Sequence, residues 1–163
     1  MEVRRYDPFT VCSVKPNGSA DGKVKAASFG ALAGYILGKN EECLKMQFNK
    51  PALQHGDGHD HCMAVVLPSK YWDNVGDAPS PLADSGVSVE CHDGGDYACV
   101  RFSGVASKGD VSKHRELLFA EISKDGGFVV DSDADVVLAQ YDPPFVLPWK
   151  RTNEVMVKVL SRD

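Results

Sequence analysis

The 163-residue sequence lacks any apolar run close to the roughly 18–20 residues that a membrane-crossing helix needs. Its start lacks a basic stretch followed by an apolar core, so a secretory signal is not expected. It has only five cysteines, Cys12, Cys43, Cys62, Cys91 and Cys99, an odd number with no CxxC spacing. A disulfide framework is therefore not expected, and reduced, mostly buried thiols in a cytoplasmic setting are. A targeting peptide removed earlier is compatible with this reading. An excess of basic charge is also missing. The formal net charge is −5, which argues against DNA or an anionic membrane as the main partner, though not against a local basic patch. No nucleic-acid binding and no membrane insertion are expected. The catalytic signatures G-x-S-x-G, P-loop and H-E-x-x-H do not occur. Their absence lowers the enzyme reading without removing it.

What is present is ordinary globular composition, 43% hydrophobic and 25% charged, at a length suited to one domain. Residues 2–14 predict a strand, rich in Val, Tyr, Phe and Thr. Phe29, Leu32, Ala33 and Ile36 recur at helical spacing, so a helix is expected over 24–38, closed by Gly38. Residues 43–53 alternate with period two and predict a strand with Leu44, Met46 and Phe48 on one face. A polar loop, 54–61, leads to a returning strand at 62–67. Residues 73–86, with proline and glycine and no periodicity, read as a linker.

The plan then repeats. A hairpin is expected at 87–92 and 97–105 around Asp93-Gly94-Gly95-Asp96. A second helix spans 107–124, with Ser107 and Asp110 as a capping box and Val111, Leu118 and Ile122 on one stripe. Strands follow at 135–141 and 153–160. Each half thus reads strand, helix, strand, strand. The expectation is an α+β fold: a distorted antiparallel β-barrel of two pseudo-symmetric β-α-β-β halves, with two helices packed outside.

Three features carry candidate chemistry. Ala26, Gly30, Ala33 and Gly34 leave one face of the first helix low. Glycine inside a helix costs about 1 kcal/mol relative to alanine, so close sheet packing or a flat ligand is expected there. In Tyr141-Asp142-Pro143-Pro144-Phe145-Val146-Leu147-Pro148-Trp149-Lys150-Arg151, three prolines stiffen an apolar loop and two cations follow. Such a loop either caps the core or covers a ligand, and it could join two copies of the chain. The third feature is His55, His59 and His61, imidazoles at i, i+4 and i+6 beside Cys62. They are candidates for Zn or Cu, or for an axial haem ligand; a solvated loop is the plainer reading. His92 and His114 are more isolated, and His114 is expected at the surface.

Five segments in register resemble the SOUL haem-binding family. They are Glu2-Val3-Arg4-Arg5-Tyr6-Asp7-Pro8, Gly34-Tyr35-Ile36-Leu37-Gly38-Lys39-Asn40-Glu41, Lys45-Met46-Gln47-Phe48-Asn49-Lys50-Pro51-Ala52, Val100-Arg101-Phe102-Ser103-Gly104, and Tyr141 to Phe145 with Arg151-Thr152-Asn153-Glu154-Val155. The resemblance implies one domain over 1–163. It implies non-covalent binding of haem b or a related porphyrin, as buffer, carrier or sensor, in a shallow apolar cleft between the first helix and the Pro-Pro-Phe loop. The matching positions are Ala26, Phe29, Gly30, Ala33 and Gly34 on the helix, and Phe145, Val146 and Leu147 on the loop. The chain departs from the family at Arg5, where one branch has an axial histidine, and at Ala26, Gly34 and Val146, where some members have basic residues. Lys23, Lys25, Lys150 and Arg151 are the candidate replacements. Rival readings are a tetrapyrrole-processing enzyme that inserts or removes iron, and a protein-interaction or effector-binding module.

Overall fold

The computed structural model describes residues 1–15, 22–56 and 61–162. In chain order the main elements are β1 (Glu2–Tyr6), β2 (Phe9–Val14), α1 (Gly22–Ile36), β3 (Ala52–His55), β4 (Cys62–Val66), β5 (Val87–His92), β6 (Gly95–Phe102), α2 (Lys108–Asp125), β7 (Phe128–Val130), β8 (Val137–Gln140) and β9 (Asn153–Ser161). The fold is α+β, and the described strand pairings are antiparallel. Among the described residues no helix is long and apolar enough to cross a membrane.

The chain divides into two compact units, Pro8–Asp93 and Met1–Asp7 with Gly94–Asp163. In the first, the strand order is β3-β4-β2-β5. β2 is buried along almost its whole length because β4 and β5 flank it. α1 inserts Leu32, Tyr35 and Ile36 into a core with Cys12, Met63 and Val65. Its end is held by a buried amide. Asn40 Nδ2 donates to the carbonyls of Tyr35 (2.9 Å) and Leu44 (2.8 Å), and its Oδ1 accepts from the Leu44 N–H (2.9 Å). Gly38, at φ 107°, makes the turn that brings the Lys39 N–H back to the Gly34 carbonyl.

That closure explains one departure from expectation. Residues 43–49 form no strand, and only Ala52–His55 pairs with β4. The backbone of the segment is already engaged: Leu44 by Asn40, and the Met46 N–H by the Ile36 carbonyl (2.8 Å). Met46 turns inward while Leu44 and Phe48 are exposed, so the three do not share a face.

In the second unit the order is β8-β9-β6-β1, with β7 also on β9. β9 is its centre. β6 lines one side; β8 pairs with residues 153–156 and β7 with 159–161. α2 starts at the expected capping box, Ser107 with Asp110, and stops at Gly126 in the left-handed region (φ 74°). It buries Leu118 and Ile122 against Ala98, Val155 and Val157.

The first half runs strand-helix-strand-strand, β2-α1-β3-β4, whereas the second carries an extra short strand after its helix, β6-α2-β7-β8-β9. Among the described residues the sheet is not closed into the expected barrel. Closure gives every strand two neighbours, whereas β1 is paired only with β6 and β5 only with β2. The strand expected over 2–14 breaks at Asp7-Pro8, and its two parts pair in different units. The expected β5–β6 hairpin is likewise replaced: β5 pairs with β2, and β6 with β1 and β9.

Candidate functional site

The first candidate surface lies on α1. Helical spacing that sends Leu32, Tyr35 and Ile36 inward leaves Ala26, Phe29 and Gly30 exposed, with Ala33 and Gly34 half-buried. A methyl group at Gly30 would meet nothing within 4 Å, so no sheet packing accounts for this glycine. Beside it Phe29 (42% exposed) and Phe48 (37% exposed) stand with ring centroids 5.8 Å apart. Gly34 differs. A methyl group there would lie 3.2 Å from Lys39 Cδ, because the lysine stem runs over it. Phe48 and Lys39 were not anticipated as site residues. The signal for Lys39 is Gly38, which folds the next residue back over the helix end.

The second candidate surface is the loop before β9. Its geometry is set from within. The Asp142 carboxylate accepts from the Thr152 N–H (2.6 Å), the Val146 N–H donates to the Pro143 carbonyl (3.0 Å), and Pro148–Lys150 forms a 3-10 turn. The Arg151 guanidinium donates through Nε to the Val146 carbonyl (2.7 Å) and through Nη2 to the Pro144 carbonyl. Arg151 is thus turned into its own loop and half-buried, whereas Lys150 is exposed. Phe145 is 85% exposed, Leu147 is exposed and Val146 is half-buried.

Below this loop lies a charge cluster that sequence reading missed. The Glu154 side chain is 0% exposed. Arg4 donates to both its oxygens at 2.9 Å, and Tyr141 OH donates to Oε2 at 2.8 Å. Arg101 Nε stands 3.4 Å from Oε1. Burial alone pushes the Glu154 carboxyl up; the hydrogen bonds from Arg4 and Tyr141 outweigh it and hold the group below its usual range. Burial and the glutamate raise the Tyr141 phenol. A polar depression adjoins, lined by Met1, Glu2, Arg4, Cys99, Val100 and Arg101. Burial pushes the Cys12 thiol up to about 12 and the Cys99 thiol to about 11, so neither is a thiolate near neutral pH.

The histidines are dispersed. His55 is half-buried on β3 opposite Cys62; His61 is buried, with Nε2 3.2 Å from Gln54 Oε1. His59 lies outside the described residues. Among the described residues no three His, Cys, Asp or Glu side chains are grouped to hold a metal ion. His92 stacks on Phe9 (4.5 Å). His114 is at the surface and half-buried: it stacks on Phe102 (4.0 Å), and its Nδ1–H donates to the Asp110 carbonyl (2.7 Å). Arg5 is paired with Asp96 through two 2.8 Å hydrogen bonds.

Comparison with solved structures supports the fold. A hydrolase from Listeria innocua superposes with a TM-score of 0.66 at 13% identity, over 98% of this chain and 91% of its own. The C-terminal domain of EcmrR gives 0.66 at 7% identity, over 99% and 97%. EcmrR in complex with DNA gives 0.69 at 8% identity, over 97% of this chain and 56% of its own. At such identities the likeness is one of fold alone. No curated protein sequence matches the chain. The SOUL heme-binding protein family model matches residues 1–158, across both units, and the chain belongs to that family.

Proposed function

We propose that the chain binds haem or a related tetrapyrrole non-covalently, as a buffer, carrier or sensor, with residues 1–163 acting as one binding domain. Family membership supports tetrapyrrole binding in general. The observation that carries the site is the open space over Gly30 beside the exposed Phe29–Phe48 pair. A low, flat, apolar face flanked by aromatic rings suits a macrocycle, and the ammonium of Lys39 is a candidate partner for a carboxylate of the ligand. Ala26, Ala33 and Gly34 extend that face. Phe145, Val146 and Leu147 are proposed as a further contact, tested separately from α1. At about 25 cal/mol per Å², covering a few hundred Å² supports roughly micromolar affinity after association costs.

The test is a haemin titration read at the Soret band. One saturable site is expected, lost in Gly30→Trp, where the indole would occupy the open face. The far-UV circular dichroism of that variant should match the wild type. An unchanged titration in a folded Gly30→Trp protein would place the ligand elsewhere. A parallel titration of a His55/His59/His61 triple-alanine variant assigns the axial ligand: a changed Soret position places it in that loop.

A further inference from the structure

The loop before β9 does not stand alone. The Gly104 N–H donates to the Pro148 carbonyl (3.0 Å), and Asn153 Nδ2 donates to the Gly104 carbonyl (3.0 Å), so residues 103–109 adjoin residues 143–151. Together they expose Val105, Phe145, Leu147 and Trp149, with Phe145 at 85% and Trp149 at 69%. Single exposed apolar side chains are ordinary, but four on adjoining segments are not. Slack does not explain the exposure, because Arg151, Asp142 and the 3-10 turn fix the loop in this form. Charge marks the same place. The two segments contain Lys108, Lys150 and Arg151, and the carboxylates at their edges are engaged locally, Asp110 with Ser107 and Asp142 with the Thr152 N–H. Apolar and indole side chains beside the exposed Lys108 and Lys150 match the chemistry of a bilayer interface carrying anionic headgroups.

We propose that this platform docks the protein on the surface of an anionic lipid bilayer. Phe145, Leu147 and Trp149 enter the boundary between headgroups and acyl chains, while Lys108 and Lys150 face lipid phosphates. The docking is shallow and reversible, since a few side chains supply far less apolar area than a spanning helix. It does not rest on tetrapyrrole binding: the ligand-free protein docks.

The test is flotation of the ligand-free full chain with phosphatidylcholine vesicles, with and without phosphatidylserine. Partitioning onto the phosphatidylserine vesicles is expected, weakening as salt is added. The Phe145→Ser/Trp149→Ser double variant should lose about tenfold or more, and Lys150→Glu should weaken binding to the anionic vesicles alone. Trp149 emission should shift to the blue on docking. The shift should vanish in Trp149→Phe, because Trp72 is half-buried with its indole N–H on the Leu67 carbonyl. No partitioning of the wild type, or equal partitioning of the double variant, overturns the proposal. A concentration-dependent mass that the double variant abolishes, without vesicle binding, also overturns it and assigns the patch to a second copy of the chain. Haemin titration without vesicles reads the tetrapyrrole proposal separately, so either reading can fail alone.

Discussion

Arg4 and Glu154, 150 residues apart, meet through two parallel 2.9 Å hydrogen bonds, one to each carboxylate oxygen. They join the first strand to the last through a carboxylate that solvent does not reach. Removing one partner of a buried pair leaves the other charge uncompensated, at a cost of about 3–5 kcal/mol. Arg4→Met should destabilise the protein by that order in denaturant titrations, and adding Glu154→Gln should recover much of the loss. Equal stability of Arg4→Met and wild type would show that Tyr141 and Arg101 suffice.

The same carboxylate sets an acid limit. Its folded pKa lies below the ordinary value of 4.5, so between the two values the unfolded chain binds the extra proton. The stability that Glu154 contributes is therefore fully present above about pH 4.5 and is lost as pH falls through the depressed value. Unfolding free energy measured across that window should fall less steeply with acid in Glu154→Gln than in wild type. Superimposable slopes would remove Glu154 from the account.

Asn40 makes three hydrogen bonds at the end of α1, two as donor and one as acceptor. Asn40→Ala leaves buried backbone groups without those partners and should cost about 2–3 kcal/mol. Amide exchange at Leu44 should accelerate with it. Retained protection at Leu44 would mean that the segment is held by something other than this side chain.

Five thiols fall into two classes: Cys43 and Cys91 are exposed, while Cys12, Cys62 and Cys99 are buried. Burial also raises the pKa of each member of the second class. Titration with an aromatic disulfide near neutral pH should show two fast thiols, with the other three reacting only on unfolding. A third fast thiol would indicate that one of the two units opens readily.

Where local chemistry decides local structure, the chain was legible. α2 could be read because Ser107, Asp110 and Gly126 mark its ends. Residues 43–49 could not, because the Asn40 side chain takes the Leu44 backbone groups and the Ile36 carbonyl takes the Met46 N–H. Asp93-Gly94-Gly95-Asp96 signals a reversal but says nothing about which distant strand each flank will join. β7, three residues long, was too short to detect. At the candidate site, Phe29 and Gly30 were visible from helical spacing. Phe48 was not, since alternation assigned it to a strand face with Met46. Glu154 was hidden for a related reason: a charge in an alternating strand reads as outward-facing until its partner, Arg4, is found at the other end of the chain.

The partner exchange at Asp7-Pro8 and Asp93-Gly94 has a consequence for synthesis. Pro8–Asp93 is an uninterrupted stretch, so that unit can assemble as soon as its last strand leaves the ribosome. β1 leaves earlier but finds its pairing strand only when Gly95–Phe102 follows, and Arg4 finds its carboxylate only when residue 154 has been made. The earliest of the described strands to be translated must therefore stay unpaired until β6 has been made. Its arginines at positions 4 and 5 are the kind of charged residue that keeps a waiting strand from pairing with the wrong edge.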